Sequence, residues 1–387
     1  MRLPALTLRP GRERSILNRH PWIFSGAILN MPEASKEGII EVRDAKGNYL
    51  GAGFFHPESQ IVCRMFYFSA SQGSFSDEFW KNKFRAAYQF RKSFINPEIT
   101  TGYRLANAEG DSLPGMIVDI YDKTAVLQMR IPGVLPLISL WVEFLQQEVG
   151  IDQVILKKET EEGFEWLTPK VTDRVTFVEN GFNFIAEIEI GQKTGFFLDQ
   201  RNSRNLVGNW AQNKTVLNAF CYSGAFSIYA LKGGAKEVIS LDISHKAIQT
   251  VEEVIQLNFN SPVPHRAITV DTFEYLKEMP DDYFDLIILD PPAFTKHIST
   301  VNKAARGYKE INLKAMRKIK EGGILFTFSC SQHISADLFR KIIYGAAADA
   351  GRECSVLYRL AQPEDHPVNI FHPEGEYLKG LVLRVGG

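Results

Sequence analysis

The chain has 387 residues, 45% of them apolar and 12% aromatic, enough to bury a sizeable core and too many for a disordered protein. Its 44 lysines and arginines nearly balance 45 acidic residues, but the split is lopsided: residues 1–95 carry 14 basic and 8 acidic side chains, residues 96–387 carry 30 and 37. A basic N-terminal part is expected where one end meets a polyanion. The length predicts two or three domains. Four cysteines, at 63, 221, 330 and 354 without C-x-x-C spacing, argue against a disulfide framework or structural zinc and fit a reducing cytoplasm. The start, MRLPALTLRPGRERS, lacks a signal-peptide apolar region, and no apolar run approaches the roughly 20 residues of a bilayer span. A soluble, cytoplasmic protein is expected.

From Leu6 to Phe68 the pattern is short and β-like. Gly38-Ile-Ile-Glu-Val-Arg-Asp44 and Tyr49-Leu-Gly-Ala-Gly-Phe-Phe55 flank a turn at Ala45-Lys-Gly-Asn48, and Ile61-Val-Cys-Arg-Met-Phe66 follows. Asp44 and Gly47 supply turn chemistry between alternating apolar residues, so residues 1–73 predict a small barrel. Ser76, followed by Asp77 and Glu78, predicts a helix start and a helix of about 19 residues, with Trp80, Phe84, Ala87 and Tyr88 forming its apolar stripe. Hairpin strands around 104–121, an apolar helix near 134–148 and strands near 153–157 and 182–190 complete a middle α+β domain over 74–185.

From Thr215 onward short strands alternate with longer helices, the signature of a parallel sheet covered on both faces. Strands are expected at 215–219, 237–241, 266–270, 284–289 and 323–329, with a final pair near 354–360 and 380–385. Helices are expected near 224–232, 244–258, 272–278, 303–320 and 335–349, with Ser244 and Ser335 as N-caps and Gly233-Gly234 and Gly322-Gly323 as stops. Residues 186–387 thus predict a doubly wound α/β domain whose ligands sit outside the carboxyl ends of its strands.

The turn after the first of these strands, Cys221-Tyr-Ser-Gly224, holds one glycine. A dinucleotide site wants G-x-G-x-x-G so that backbone amides reach a pyrophosphate; that cradle is missing, which disfavours a dehydrogenase. Gly224 still allows close backbone approach. Asp242 and Asp271 end the next two strands, where a carboxylate either accepts ribose hydroxyls or caps the following helix. A nucleoside without pyrophosphate, held by carboxylates at successive strand ends, describes S-adenosylmethionine. Asp290-Pro-Pro-Ala-Phe294 follows the apolar strand that ends at Leu289, and two prolines force a sharp turn, aiming Asp290 into the crevice toward the nitrogen edge of a base. Phe294 either stacks on that base or belongs to the core.

Cys330, in Phe326-Thr-Phe-Ser-Cys-Ser331, falls on the same rim. Cytosine carbon 5 is a poor nucleophile, and a thiolate adding at carbon 6 makes the ring enamine-like, able to attack an electrophilic methyl group. The site must then favour the thiolate or remove its proton. The alternative is a buried small hydrophobe, the role assigned to Cys63, Cys221 and Cys354.

Taken together, Gly191-Gln-Lys-Thr-Gly-Phe-Phe-Leu-Asp-Gln-Arg201, Asn218-Ala-Phe-Cys-Tyr-Ser-Gly-Ala-Phe226, Asp290-Pro-Pro-Ala-Phe, Thr327-Phe-Ser-Cys-Ser and the tail from Asp365-His-Pro to Pro373-Glu-Gly-Glu-Tyr-Leu-Lys-Gly380 resemble the bacterial ribosomal large-subunit methyltransferase I family over nearly the whole chain. The resemblance implies a Rossmann-like class I methyltransferase domain, an N-terminal PUA β-barrel, S-adenosylmethionine as cofactor and 5-methylcytosine in 23S rRNA as product. It implies cofactor contacts at Asn218, Ser223, Gly224, Asp242, Asp271 and Asp290, with Leu198 and Gln200 in a segment closing over the cofactor, and Cys330 as nucleophile. Arg9, Arg12 and Arg14 then become phosphate contacts that position RNA without reading its sequence. Related cytosine-5 families place a second cysteine after the proline of the aspartate motif; here Pro292 and Ala293 stand there, and no residue is identified as the base for carbon 5. The expected partner is 23S rRNA or a large-subunit particle, with no metal and no membrane; a homodimer is compatible with the sequence. The rival expectations are a methyltransferase acting on a base nitrogen such as guanine's, which needs no thiol, and a non-catalytic RNA-binding module.

Overall fold

The computed structural model describes residues 3–32, 37–158 and 163–387. The chain divides into two compact units: Met1–Gly181 with Ala186–Leu198 and Glu364–Gly375, and Phe182–Ile185 with Asp199–Pro363 and Glu376–Gly387. The stretches 186–198 and 364–375, assigned from sequence to the last domain, group with the first unit.

In the first unit six strands lie in the order Trp22–Phe24, Ile61–Phe68, Tyr49–Phe55, Gly38–Arg43, Ala5–Leu8, Ile28–Asn30. A flat six-stranded sheet is about 24 Å wide, whereas the turn Ser25–Ala27 joining the two edge strands spans at most roughly 14 Å. The sheet therefore curls back on itself around Leu6, Leu8, Ile40, Val42, Phe55 and Val62. Asp44 Oδ1 accepts from the amides of Lys46 and Asn48, and Gly47 takes φ +85°, the turn chemistry expected there.

Helix Asp77–Lys92 begins at Ser76, whose hydroxyl accepts from the Phe79 amide. It buries Trp80, Phe84 and Ala87, with Phe84 stacked 3.7 Å from Trp141. A five-stranded sheet follows, in the order Phe164–Trp166, Gln153–Lys157, Thr124–Met129, Met116–Tyr121, Gly102–Asn107. The helix expected near 134–148 is broken into a 3-10 turn Pro132–Leu137, an α segment Ile138–Phe144 and a π turn Leu145–Val149. Pro136 supplies no amide hydrogen to the first turn, which keeps the start out of α geometry. The unit also holds a buried ionic network. Arg104 grips Asp119 with two hydrogen bonds of 2.7 and 2.8 Å, Arg91 pairs with Asp111, and Asp365 joins both arginines: its Oδ2 accepts from the Arg104 amide and its carbonyl from Arg91.

The second unit is built on a seven-stranded sheet. Its strands are β1 (Thr215–Ala219), β2 (Glu237–Asp242), β3 (His265–Thr269), β4 (Leu286–Leu289), β5 (Gly323–Ser329), β6 (Cys354–Leu360) and β7 (Lys379–Val385). The order is β3-β2-β1-β4-β5-β7-β6, with β1 to β5 parallel and β7 antiparallel to both neighbours. The helices are α1 (Arg201–Trp210), α2 (Ala225–Lys232), α3 (His245–Asn258), α4 (Thr272–Glu278), α5 (Val301–Lys318) and α6 (Ala336–Ala350). Leu217, Ile239, Ile287 and Leu325 face one core layer, and Val216, Val238, Leu286 and Ile324 the other, the two-sided burial that makes parallel strands continuous apolar runs. Ser244 and Ser335 cap α3 and α6, and α2 stops at Gly233. Gly322 does not end α5, which stops at Lys318 because Ile319 is extended; at φ +74° it makes the turn into β5.

Candidate active site

The parallel register aligns the carboxyl ends of the strands. Ala219 of β1 lies beside Leu241 and Leu289, and Leu289 beside Thr327 of β5. Phe220, Asp242 and Asp290 follow directly, and Cys330 follows the end of β5 at Ser329 with its sulfur near the Pro291 carbonyl, so all four share one rim, centred where strand order reverses between β1 and β4. That is where ligands bind in open α/β sheets.

The turn leaving β1 is tightly coiled: Phe220, Tyr222 and Gly224 have φ of 59°, 47° and 74°. Two non-glycine residues in the left-handed region mark a segment held against its preference by its surroundings. Part of that hold is Asp242, whose Oδ2 accepts from the Tyr222 amide at 3.0 Å and whose Oδ1 accepts from Ser244 at 2.9 Å. A side chain at Gly224 would meet Val251 of α3 at 2.9 Å, so the glycine serves packing of the turn on α3 as well as backbone geometry. Ser223 is buried beside it. Asn218 donates to Ser227, which bonds Ser240, which bonds His265 Nε2. Burial pushes His265 down to about 4. Asp271 is the N-cap of α4, its Oδ1 accepting from Phe273 and Glu274; the cap is the role its contacts display.

On the other side of β1, Gln200 Nε2 donates to Asp290 Oδ1 at 3.1 Å. Gln200 is buried, and its Oε1, like Asn218 Oδ1, has no hydrogen-bond partner among the described residues. Two orphaned buried acceptors, one of them on a side chain bonded to the Asp290 carboxylate, suit a ligand rich in donors and positive charge, which fits the ammonium and ribose hydroxyls of S-adenosylmethionine. Leu198 belongs to the first unit and is buried. Phe294 packs on Tyr308 at 4.5 Å and Phe273 at 6.1 Å, against Gly307 of α5, so its ring is part of the core wall.

Cys330 is partly exposed, its sulfur 4.0 Å from the Pro291 carbonyl oxygen. Burial raises the thiols of Cys63, Cys221 and Cys354 above their usual range, as inert structural cysteines require. Two neighbours of Cys330 were not singled out from sequence. Lys379, buried at the start of β7, donates to the Ser331 carbonyl at 2.7 Å; burial pushes its ammonium down to about 8, opposed by attraction to Cys330. Tyr308 shares a hydrogen bond with Ser331 Oγ, and burial raises its phenol. The signal for Lys379 was its motif, Glu376-Tyr-Leu-Lys-Gly380, combined with an antiparallel last strand, whose first residue must fall on the rim where the parallel strands end.

Arg9, Arg12 and Arg14 lie in the first unit, all exposed. Arg9 donates to the Ile28 carbonyl, and Arg12 lines a cavity of about 370 Å³ with His20, Trp22 and Phe24. Among the described residues none of the three pairs with a carboxylate. Other N-terminal cations are neutralised inside the unit: Arg43 by Glu41, Arg64 by Glu109, Arg85 by Glu78 and Glu148, Arg91 by Asp111. The unpaired positive charge of the barrel is thus concentrated near its start.

Residues 149–380 match the family described as S-adenosylmethionine-dependent methyltransferase, and residues 6–68 match a PUA-like domain. The ribosomal RNA large subunit methyltransferase I of Pseudoalteromonas atlantica is 40% identical over 98% of this chain and 99% of its own. The proteins of the same name from Alteromonas mediterranea and Escherichia coli are each 38% identical over 98% of this chain, covering 98% and 99% of theirs. Among solved structures, one from Streptococcus mutans described as a SAM-dependent methyltransferase superposes with a TM-score of 0.85, and a methyltransferase complexed with SAH with 0.87. Both are 23% identical and cover 99% of this chain and all of theirs, a likeness of fold.

Proposed function

The chain belongs to the ribosomal RNA large subunit methyltransferase I family, and from that premise we propose that it methylates carbon 5 of a cytosine in 23S rRNA through a covalent bond from Cys330 to carbon 6. The enzyme class and the cofactor come with the family: a methyltransferase dependent on S-adenosylmethionine. The position of Cys330 carries the cytosine assignment. Its thiol stands on the rim beside the Asp290 loop, whereas a nitrogen methylase has no use for a nucleophile there.

The cofactor would be held by Asn218, Ser223, Gly224, Asp242 and Gln200, with Asp271 and Asp290 nearby. When bound, it supplies an electrophilic methyl group in the crevice. The target base, extruded from its stack, is held by Asp290 at its nitrogen edge, with Phe294 as wall. The sulfur of Cys330 adds to carbon 6 and its electron pair becomes the new C–S bond, leaving carbon 5 electron-rich. Once carbon 5 carries the methyl group, a base or water takes its proton, the C–H electron pair restores the double bond between carbons 5 and 6, and the C–S bond breaks, Cys330 leaving with the C–S pair.

Residues 1–73 would bind RNA through Arg9, Arg12 and Arg14, residues 74–185 would help hold it, and residues 186–387 would carry the chemistry. No helix among the described residues is long and apolar enough to cross a membrane, and the proposed setting is the cytoplasm, with rRNA or a large-subunit particle as partner and a homodimer compatible with it. The test is Cys330→Ala assayed on 23S rRNA by mapping methylated nucleotides. Loss of 5-methylcytosine supports the proposal; retained activity, or a methyl group found on a guanine nitrogen, overturns it.

A further inference from the structure

We propose that Lys379 is the positioning residue that keeps Cys330 as a thiolate, the lysine ammonium serving as counterion of the sulfur. The proposal rests on Cys330 being the nucleophile. Its basis is an ammonium in an unusual setting. Lys379 is buried, yet no carboxylate pairs with it among the described residues; its hydrogen-bond partner is a carbonyl, that of Ser331. A buried charge without a partner is costly, and the ionisable group in its electrostatic reach is the Cys330 thiol.

The placement follows from topology. In the β5–β7 ladder Lys379 is paired with Ser329, so the lysine stands across from the residue before Cys330 and hydrogen-bonds the residue after it. Ser329 and Ser331 are fully buried, which fixes the backbone around the thiol.

Two other groups near the sulfur do not replace this role. Tyr308 of α5 stays neutral and is tied to Ser331. Asp290, one residue before the Pro291 carbonyl that Cys330 approaches, brings negative charge to the same rim and favours the protonated thiol. The ammonium offsets it. In the activating step the S–H proton of Cys330 passes to water. The S–H electron pair stays on sulfur, and the Lys379 ammonium, protonated throughout, holds the thiolate. Nearby cationic groups lower cysteine pKa in this way.

The experiment is site-resolved alkylation. The full-length protein is treated with iodoacetamide across about pH 5 to 10, and modification of the Cys330 peptide is followed by mass spectrometry. In the native chain the rate profile is expected to turn about one pH unit or more below the ordinary thiol value of about 8.5. In Lys379→Met the inflection should rise by about one unit, cutting reactivity at neutral pH roughly tenfold, while Lys379→Arg should keep it low. A native inflection at or above the ordinary value, or one unmoved in Lys379→Met, overturns the proposal. Should the methionine variant fail to fold, the native profile and Lys379→Arg still decide. RNA plays no part in this measurement, so its failure is distinct from failure of the nucleophile assignment, which Cys330→Ala on rRNA reads.

Discussion

The amide of Gln200 hydrogen-bonds the carboxylate of Asp290 at 3.1 Å, joining the entry of α1 to the loop that leaves β4. A charge-assisted bond of this kind contributes about 1.5–3 kcal/mol, and it fixes the direction of a carboxylate proposed to hold the target base. Gln200→Ala is expected to lower kcat by about one order of magnitude or more and also to lower the unfolding midpoint, since a buried amide and its bond are lost. Single-turnover methylation alongside urea denaturation checks both halves; an unchanged kcat would mean that Asp290 is oriented by something else.

Two glycines with the same backbone angle separate conformational strain from crowding. Gly224 and Gly322 both have φ +74°, but a side chain at Gly224 would lie 2.9 Å from Val251, whereas one at Gly322 meets nothing within 4 Å. Alanine at Gly322 should cost about 1–2 kcal/mol from the left-handed backbone alone. Alanine at Gly224 adds overpacking of about 1–3 kcal/mol. Denaturant titration of the two variants should rank them in that order.

Burial holds the His265 imidazole neutral, with its pKa pushed down to about 4 from the ordinary 6.5. Below pH 6.5 the unfolded chain takes up a proton that the folded chain refuses. The contribution of this residue is therefore level above that pH and falls as the medium is acidified toward pH 4. Between neutrality and about pH 4.5 it should remove roughly 2–3 kcal/mol of stability. His265→Gln should flatten that part of the stability profile, measured by urea unfolding at a series of pH values. An equally steep profile in the variant would assign the acid sensitivity elsewhere.

Exposed arginines without carboxylate partners are expected to act on phosphate. Arg12→Ala and Arg14→Ala should each weaken binding of an rRNA fragment and reduce the slope of log affinity against log salt by about one, independently of RNA sequence. Arg64→Ala is the contrast: Arg64 is tied to Glu109 at 2.7 Å and stacked over Trp22, so its loss should appear first in stability. Fluorescence titrations at several salt concentrations distinguish the two behaviours.

The parallel strands of the second unit were legible because both faces of each are buried, which writes them as unbroken apolar runs between helix caps: β1 and β5 fall at 215–219 and 323–329, where expected. Asp290 and Cys330 could be placed on one rim for the same reason, since a parallel register puts all strand exits on one side. What sequence hid is non-local. Nothing in Glu376-Tyr-Leu-Lys says that Lys379 pairs with Ser329 across the sheet. Nor does the Asp271 carboxylate announce whether it caps α4 or faces a ligand. The break at Pro136 was hidden by apolar periodicity, which runs through 3-10, α and π turns alike.

The tail segment Glu364–Gly375 counts with the first unit, and its Asp365 accepts from the backbone amide of Arg104 while His366 bonds the same carboxylate. The polypeptide thus passes between the units several times, and no single cut releases either as an intact piece. A fragment ending near residue 181 would leave Arg91 and Arg104 without acceptors that lie far downstream. Natural or engineered shortening of the C-terminus would accordingly be felt deep in the N-terminal half.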